Sequence, residues 1–294
     1  MALQQTAHTG AALSTSKLVS APSTSRFIEA GGLRLHYLDY GSAGRRPMLC
    51  MHGGAANAHW FDFVAGSFTG DYHVRAMDHR GHGDSEWANP PNYSYEDYAA
   101  ELDEVVNKLD LRDFVLVGHS MGGKTSLKYA ATYPGRVAKL VIIDSNMDMT
   151  LQRLEQMRRM GHKPRKPYAT LDEFVEQFHV RPKGSNAVPE VTHHIALNCC
   201  KQMPEGTWRH KFDAHVHSEH KFLDCIACWE SIRIPALLIK ADLSERVTPK
   251  ICDDVKARCP SAEFALVTNS HHHITLDNPS GFVGAVNAFL GRGD

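Results

Sequence analysis

Residues 115–133 read VLVGHSMGGKTSLKYAATY, and this stretch decides the fold. Phe114-Val115-Leu116-Val117 is a short apolar run of the length of a buried strand. It stops at Gly118-His119-Ser120-Met121-Gly122, and a helix is expected from Met121 to Tyr133. A strand that feeds a tight turn and then a helix leaves the central side chain of the turn outside both elements. Ser120 holds that place, and Gly118 and Gly122 lack side chains where strand and helix must approach closely. An exposed hydroxyl on a constrained turn suits a nucleophile, although the pentapeptide alone would also fit a glycine-rich connection. His119 is too close in the chain to approach Ser120 as a base and reads as a packing residue.

The flanking sequence repeats the same alternation. Upstream, Leu33 to Tyr40 alternates as a strand, and Met48-Leu49-Cys50-Met51 is an apolar run ending at His52-Gly53-Gly54. Tyr72 to Met77 is a further strand, followed by Asp78-His79-Arg80-Gly81-His82-Gly83-Asp84-Ser85. Tyr95 to Leu109 spaces Tyr98, Leu102, Val105, Val106 and Leu109 as one helix face. Downstream, Val137 to Ile143 predicts a strand ending at Asp144, and Ile234 to Lys240 another. A helix over Pro249 to Ala257, a strand over Ala262 to Val267 and a closing helix over Pro279 to Leu290 complete the chain. Strands alternating with helices predict the α/β class, with a mostly parallel central sheet flanked by helices. No equal-period repeat interrupts the pattern.

Between Asp144 and Ile234 the pattern breaks. Residues 146–230 are polar, contain helix-like pieces such as Thr170 to Phe178, and are divided by Pro164, Pro167, Pro182, Pro189 and Pro204. Lying between core strands, they read as an inserted, mainly helical cap. The core is then 26–145 with 231–294, and 1–25 is a flexible tail rich in Ala, Ser and Thr without an acidic residue. Met147, Met149, Leu151, Leu154, Met157 and Met160 fit a helical stripe packed on the core better than a methionine-lined substrate site.

Composition excludes several classes. The chain has 294 residues, 43% hydrophobic and 22% charged, enough to bury a sizeable core. Its apolar runs are too short to cross a bilayer, so no stable membrane insertion is expected. A formal charge of -1 without a basic block gives no footprint for nucleic acid. Seven cysteines, an odd number, fit a reducing compartment. Cys225-Ile226-Ala227-Cys228 and Cys199-Cys200 read as ordinary thiols before they read as metal ligands. A cytoplasmic location is expected, with a processed organellar targeting tail as the alternative. The sequence sets no oligomeric state.

A serine nucleophile needs a base and an acid. The loop before the last helix carries His271, His272 and His273, of which His272 is preferred, seven residues before Pro279 and five before Asp277. The acid is expected after Ile239, where Glu245 stands four residues before Pro249 and Asp242 is the alternative. Asp144 is the remaining candidate.

These motifs, in this order, resemble the α/β-hydrolase superfamily, especially its small serine esterase-like members. The resemblance rests on His52-Gly53-Gly54, the Asp78 to Ser85 run, Gly118 to Gly122, the Ile234 to Pro249 region and His272 to Pro279. It covers nearly all of residues 27–292. Three departures are Ala241 and His271 where the family carries glycine, and Glu245 where it carries aspartate. The resemblance implies an oxyanion hole from the Gly54 and Met121 backbone amides, and a Ser120, His272, Glu245 triad. The implied activity is hydrolysis of a small or medium carboxylic ester or lactone through an acyl-enzyme, with a small-molecule acyl substrate and with neither metal nor organic cofactor. Two alternatives stand beside it. One is carbon–carbon hydrolysis of a dienoate-like substrate, needing a deep pocket with a cation such as Arg153, Arg158, Arg159 or Arg181 for a carboxylate. The other is a catalytically poor ligand-binding protein on the same fold.

Overall fold

The computed structural model describes residues 6–8, 19–163 and 165–291. In chain order the elements are β1 (Thr6–His8), β2 (Thr24–Ala30), β3 (Leu33–Asp39), β4 (Arg46–Met51) and β5 (Tyr72–Met77). The nucleophile region is built from α1 (Tyr95–Lys108), β6 (Phe114–His119), α2 (Met121–Thr132) and β7 (Val137–Ile143). Then come α3 (Leu151–Gly161), α4 (Leu171–Gln177), α5 (Pro189–Asn198), the hairpin β8 (Cys200–Gln202) and β9 (Trp208–His210), α6 (His215–Ser218) and α7 (Cys225–Trp229). The chain closes with β10 (Ala236–Ala241), α8 (Pro249–Arg258), β11 (Glu263–Val267), α9 (Ile274–Asp277) and α10 (Pro279–Leu290).

Among the described residues nine strands form one sheet in the order β1-β11-β10-β7-β6-β4-β5-β3-β2. Only β3 runs against the others, pairing antiparallel with β2 and β5. β6 is buried along its whole length, as a central parallel strand covered on both faces must be. Leu116 packs with Leu102 of α1, Leu127 of α2 and Trp229 of α7 on one face. Val115 and Val117 pack with Phe282 and Phe289 of α10 on the other. Ser94 and Asp97 close a capping box on α1, which fixes where that helix starts.

The elements α3 to α7, with the β8–β9 hairpin, are inserted between β7 and β10 and form the cap. Phe174 of α4 and Ile195 of α5 are buried in the same cluster as Trp60 and Phe61 of the core. Pro164 lies outside the described residues, as do 1–5 and 9–18 of the stretch expected to be a tail. Within the described part of that stretch, Thr6–His8 pairs with Ala265–Val267 at the sheet edge, and Thr24 and Ser25 already belong to β2. Among the described residues no helix is long and apolar enough to cross a membrane.

Candidate active site

The order of strands decides which side chains meet. β6 lies between β4 and β7, and β10 lies beyond β7. The segments leaving the carboxyl ends of β4, β6 and β7 therefore converge, which is where open α/β sheets hold their sites.

Ser120 sits between β6 and α2 with φ 53 and ψ -111, a left-handed backbone for a residue that carries a side chain. The turn holds because its neighbours leave no alternative. A Cβ on Gly118 would stand 2.4 Å from the Gly122 carbonyl oxygen, and one on Gly122 would stand 2.2 Å from that of Met51. Gly123 is equally constrained, since its Cβ would meet Ser145 Oγ at 2.1 Å. The main chain braces the same turn: Ser120 N–H donates to the Ile143 carbonyl at 2.9 Å, and Gly122 N–H to that of His52 at 3.0 Å.

His272 Nε2 stands 3.0 Å from Ser120 Oγ. Its Nδ1 stands 2.7 Å from Asp144 Oδ2. Asp144 follows β7, and its carboxylate also accepts from the Ser244 hydroxyl at 2.6 Å and the Ala241 amide at 3.3 Å. With Asp144 accepting at Nδ1, the proton sits there and Nε2 is free to take one from the serine.

The structure places Asp144, and neither Glu245 nor Asp242, against the His272 imidazole. Glu245 is exposed and lines an open groove of about 880 Å³ with Asn146, Arg153 and Thr248, away from the imidazole. Asp242, the alternative, accepts from the Asn269 and Ser270 amides at 2.9 and 3.0 Å and so caps the loop after β11. Spacing from Pro249 misled because it measures distance along one loop. The pairing of β7 beside β6 brings Asp144 in from another segment. An aspartate directly after the strand predicted at Val137 to Ile143 was the available signal.

Burial lowers the His272 pKa to about 3, with the Arg246 and Arg153 charges acting in the same direction. Burial pushes Asp144 up to about 6, against the pull of Ser244 and Ala241. Both effects favour a resting pair without net separated charge, with a neutral imidazole able to accept. His119 is buried, and its Nε2 donates to the His272 carbonyl at 2.8 Å while the two rings lie 4.7 Å apart. It holds the His272 backbone. His273 Nε2 donates to the Pro182 carbonyl at 3.2 Å, which joins the cap to the same loop.

Gly54 and Met121 face each other: a Cβ on Gly54 would lie 3.8 Å from Met121 Sδ. Met121 is the first residue of α2, so its amide has no acceptor within the helix. The loop bearing Gly54 is held from behind by Asp78. That carboxylate accepts from the Ala58 amide at 2.6 Å and the Asp84 amide at 2.9 Å, and pairs with His36 at 2.7 Å. His52 locks the loop start, donating from Nδ1 to Gly53 O at 2.7 Å and accepting the His79 amide at Nε2. Beside Gly54 lies a slot of about 10 Å³, room for roughly one water, lined by Trp60 of the core and by Phe178, Val180 and Phe212 of the cap.

The seven cysteines are free thiols, and all but Cys228 are buried. Among the described residues, the side-chain groups spaced to hold a metal ion are His59, Asp62 and His194, and His36, Asp78 and Asp84, with no cysteine in either.

The description "alpha/beta hydrolase fold" belongs to the family model that matches residues 46–279. An sn-1-specific diacylglycerol lipase of Mus musculus, ABHD11, is 27% identical over 225 residues, covering 74% of this chain and 71% of that one. A serine hydrolase-like protein of Mus musculus is 36% identical over 107 residues, 36% of this chain and 34% of the relative. The crystal structure of E-2-(acetamidomethylene)succinate hydrolase superposes with a TM-score of 0.81 at 19% identity, covering 92% of this chain and all of that one. With its sheet order, its serine turn and that matched span, this chain belongs to the alpha/beta-hydrolase fold family of hydrolytic enzymes.

Proposed function

We propose that the protein hydrolyses a small or medium carboxylic ester or lactone through an acyl-enzyme on Ser120. The observation that carries this reading is the continuous line from Ser120 Oγ to His272 Nε2 at 3.0 Å and from His272 Nδ1 to Asp144 at 2.7 Å. His272 takes the hydroxyl proton as Ser120 Oγ attacks the substrate carbonyl. Asp144 keeps the imidazole in the required tautomer and stabilises the imidazolium. The Gly54 and Met121 amides are the donors for the oxyanion, as the resemblance implied. His272 then gives its proton to the leaving alcohol, the carbon–oxygen bond breaks, and the acyl group stays on Ser120. Water, deprotonated by the same imidazole, attacks the acyl carbon and releases the acid.

The names of the relatives support a hydrolytic substrate without selecting one. A diacylglycerol lipase acts on a lipid ester, and the succinate hydrolase on an acidic small molecule. The complete set of Ser120, His272 and Asp144 argues against a catalytically poor binding protein.

A panel of methyl and vinyl esters of graded acyl length, followed by acid release, tests the reading. Wild-type protein turns over at least one short ester, and S120A, still folded by circular dichroism, loses about 10³-fold or more. Equal rates for the two proteins would refute it.

A further inference from the structure

We infer that His59, Asp62 and His194 form a binding site for one divalent transition-metal ion, Zn2+ by the chemistry of the set, and that the ion fastens cap helix α5 to the core.

The three ligands come from two parts of the fold. His59 lies in the short helical turn Ala58–Phe61 and Asp62 ends that turn, whereas His194 lies in α5. His59 Nδ1 and His194 Nε2 stand 2.7 and 2.6 Å from the same oxygen, Asp62 Oδ2, and the three ligand atoms lie within 4.8 Å of one another. Two imidazoles and a carboxylate around one point are a zinc donor set, with the fourth place left to water. Calcium and magnesium, which take oxygen ligands, do not suit it. Bonds of about 2.0–2.1 Å to a central ion separate its ligands by roughly 3.3 Å, so the two nitrogens draw back slightly from the carboxylate. The ion then stands where the two N–H protons were. Each neutral imidazole keeps its proton by moving it to the other ring nitrogen, His59 Nε2 or His194 Nδ1. Neither of these has a hydrogen-bond partner among the described residues.

Anchor and entrance are both present. The Asp62 side chain is 4% exposed, whereas those of His59 and His194 are 20% and 29% exposed, so an ion reaches a nearly dry carboxylate from solvent. The ligands are also held in advance. The Tyr40 hydroxyl donates to Asp62 Oδ1 at 2.6 Å, which orients the carboxylate and leaves Oδ2 for the ion. Asn57 accepts from the His59 amide at 3.0 Å and donates to the Asn198 carbonyl at the end of α5 at 2.9 Å, fixing the spacing of the two elements. The Phe63 ring meets the His194 imidazole edge-on at 5.1 Å. The other triplet, His36, Asp78 and Asp84, lacks this room. There Asp78 already accepts from the Ala58 and Asp84 amides, and a Cβ on Gly83 would overlap its carboxylate.

The test is calorimetric titration of the full chain, stripped with EDTA and gel-filtered, with ZnCl2. The wild type binds one ion per chain, and so does H193A, which alters an exposed neighbour on α5. H59A and H194A, folded by circular dichroism, lose the binding, and Y40F weakens it by about tenfold or more. Co2+ in place of Zn2+ gives visible d–d bands without the near-ultraviolet thiolate band that cysteine ligation would add. Zn2+ slows amide exchange in α5 of the wild type and leaves that of H194A unchanged. No one-to-one binding by the wild type, binding unchanged in H59A and H194A, or a thiolate band overturns the site. Wild-type exchange in α5 that is indifferent to Zn2+ overturns the fastening. None of these readouts depends on turnover, so ester hydrolysis stands or falls separately.

Discussion

Asp144 Oδ2 lies 2.7 Å from His272 Nδ1, although 128 positions separate the two residues in the chain. The contact exists because β7 pairs with β6 on one side and β10 on the other, which delivers the residue after Ile143 to the elbow. D144N is expected to lower kcat by about 10³-fold or more, because an amide cannot stabilise the imidazolium. E245Q and D242N are expected to stay within about threefold in kcat, since neither touches the imidazole. Single-turnover acylation rates of the three folded variants decide the matter, and a severe loss in E245Q would restore the other acid.

The pH profile carries a second expectation. Burial lowers the His272 pKa, so the acid limb of kcat/KM lies below the usual histidine value of 6.5. The sign follows from the role: a base works when neutral, and whatever disfavours imidazolium extends activity toward acid. Arg246 contributes to that lowering. R246M removes a positive charge, raises the His272 pKa and moves the limb to higher pH. A limb that stays put or moves downward in R246M would contradict this electrostatic account.

The elbow glycines make a stability prediction. A Cβ on Gly122 or Gly123 would lie 2.2 Å or 2.1 Å from a neighbouring oxygen, whereas one on Gly70 meets nothing within 4 Å. G122A and G123A are expected to lose about 1–3 kcal/mol or fail to fold, as overpacked cores do. G70A stays within about 0.5 kcal/mol of wild type. Urea unfolding followed by tryptophan fluorescence gives the comparison.

The clamp between core and cap is also testable. Asp62 Oδ2 receives His59 Nδ1 at 2.7 Å and His194 Nε2, from α5, at 2.6 Å, while Tyr40 donates to its other oxygen. Burial pulls the Asp62 pKa up, but these hydrogen bonds outweigh it and leave the group below its ordinary 3.8. A depressed carboxylate stabilises the fold above its unfolded pKa, and that contribution fades as pH falls through the folded value. H194A and D62N should therefore speed amide exchange in α5 at pH 7 while β6 and β7 remain protected. Unchanged exchange in α5 would show that apolar packing alone seats the cap.

The sequence exposed the elbow because strand, turn and helix are neighbours in the chain, and their apolar periods change within a few residues. Val137–Ile143 and Pro279–Leu290 were legible to the residue for the same local reason. The loop that brings a histidine to Ser120 was legible too, since His272 stands in a short connection just before a proline-started helix. The carboxylate that meets His272 was not, because placing Asp144 there requires the lateral order of strands, which no local period encodes. The role of His119 was half legible: its position ruled it out as a base, but its bond to the His272 carbonyl appears only in three dimensions. Nor could any spacing rule show that Arg165, within the cap, would lie over Phe212.

The main-chain bracing of the elbow bears on how the enzyme ages under heat. Ser120 N–H is fastened to the residue before Asp144, Asp144 N–H to the Ile239 carbonyl, and the His272 carbonyl to the side chain before Ser120. Ser120, Asp144 and His272 are thus bolted to the sheet and to one another. Gentle warming can loosen α5 and the cap long before it separates these three groups. Irreversible loss of the Ser120, His272 and Asp144 arrangement is then expected to keep pace with melting of the central sheet, after the cap has loosened.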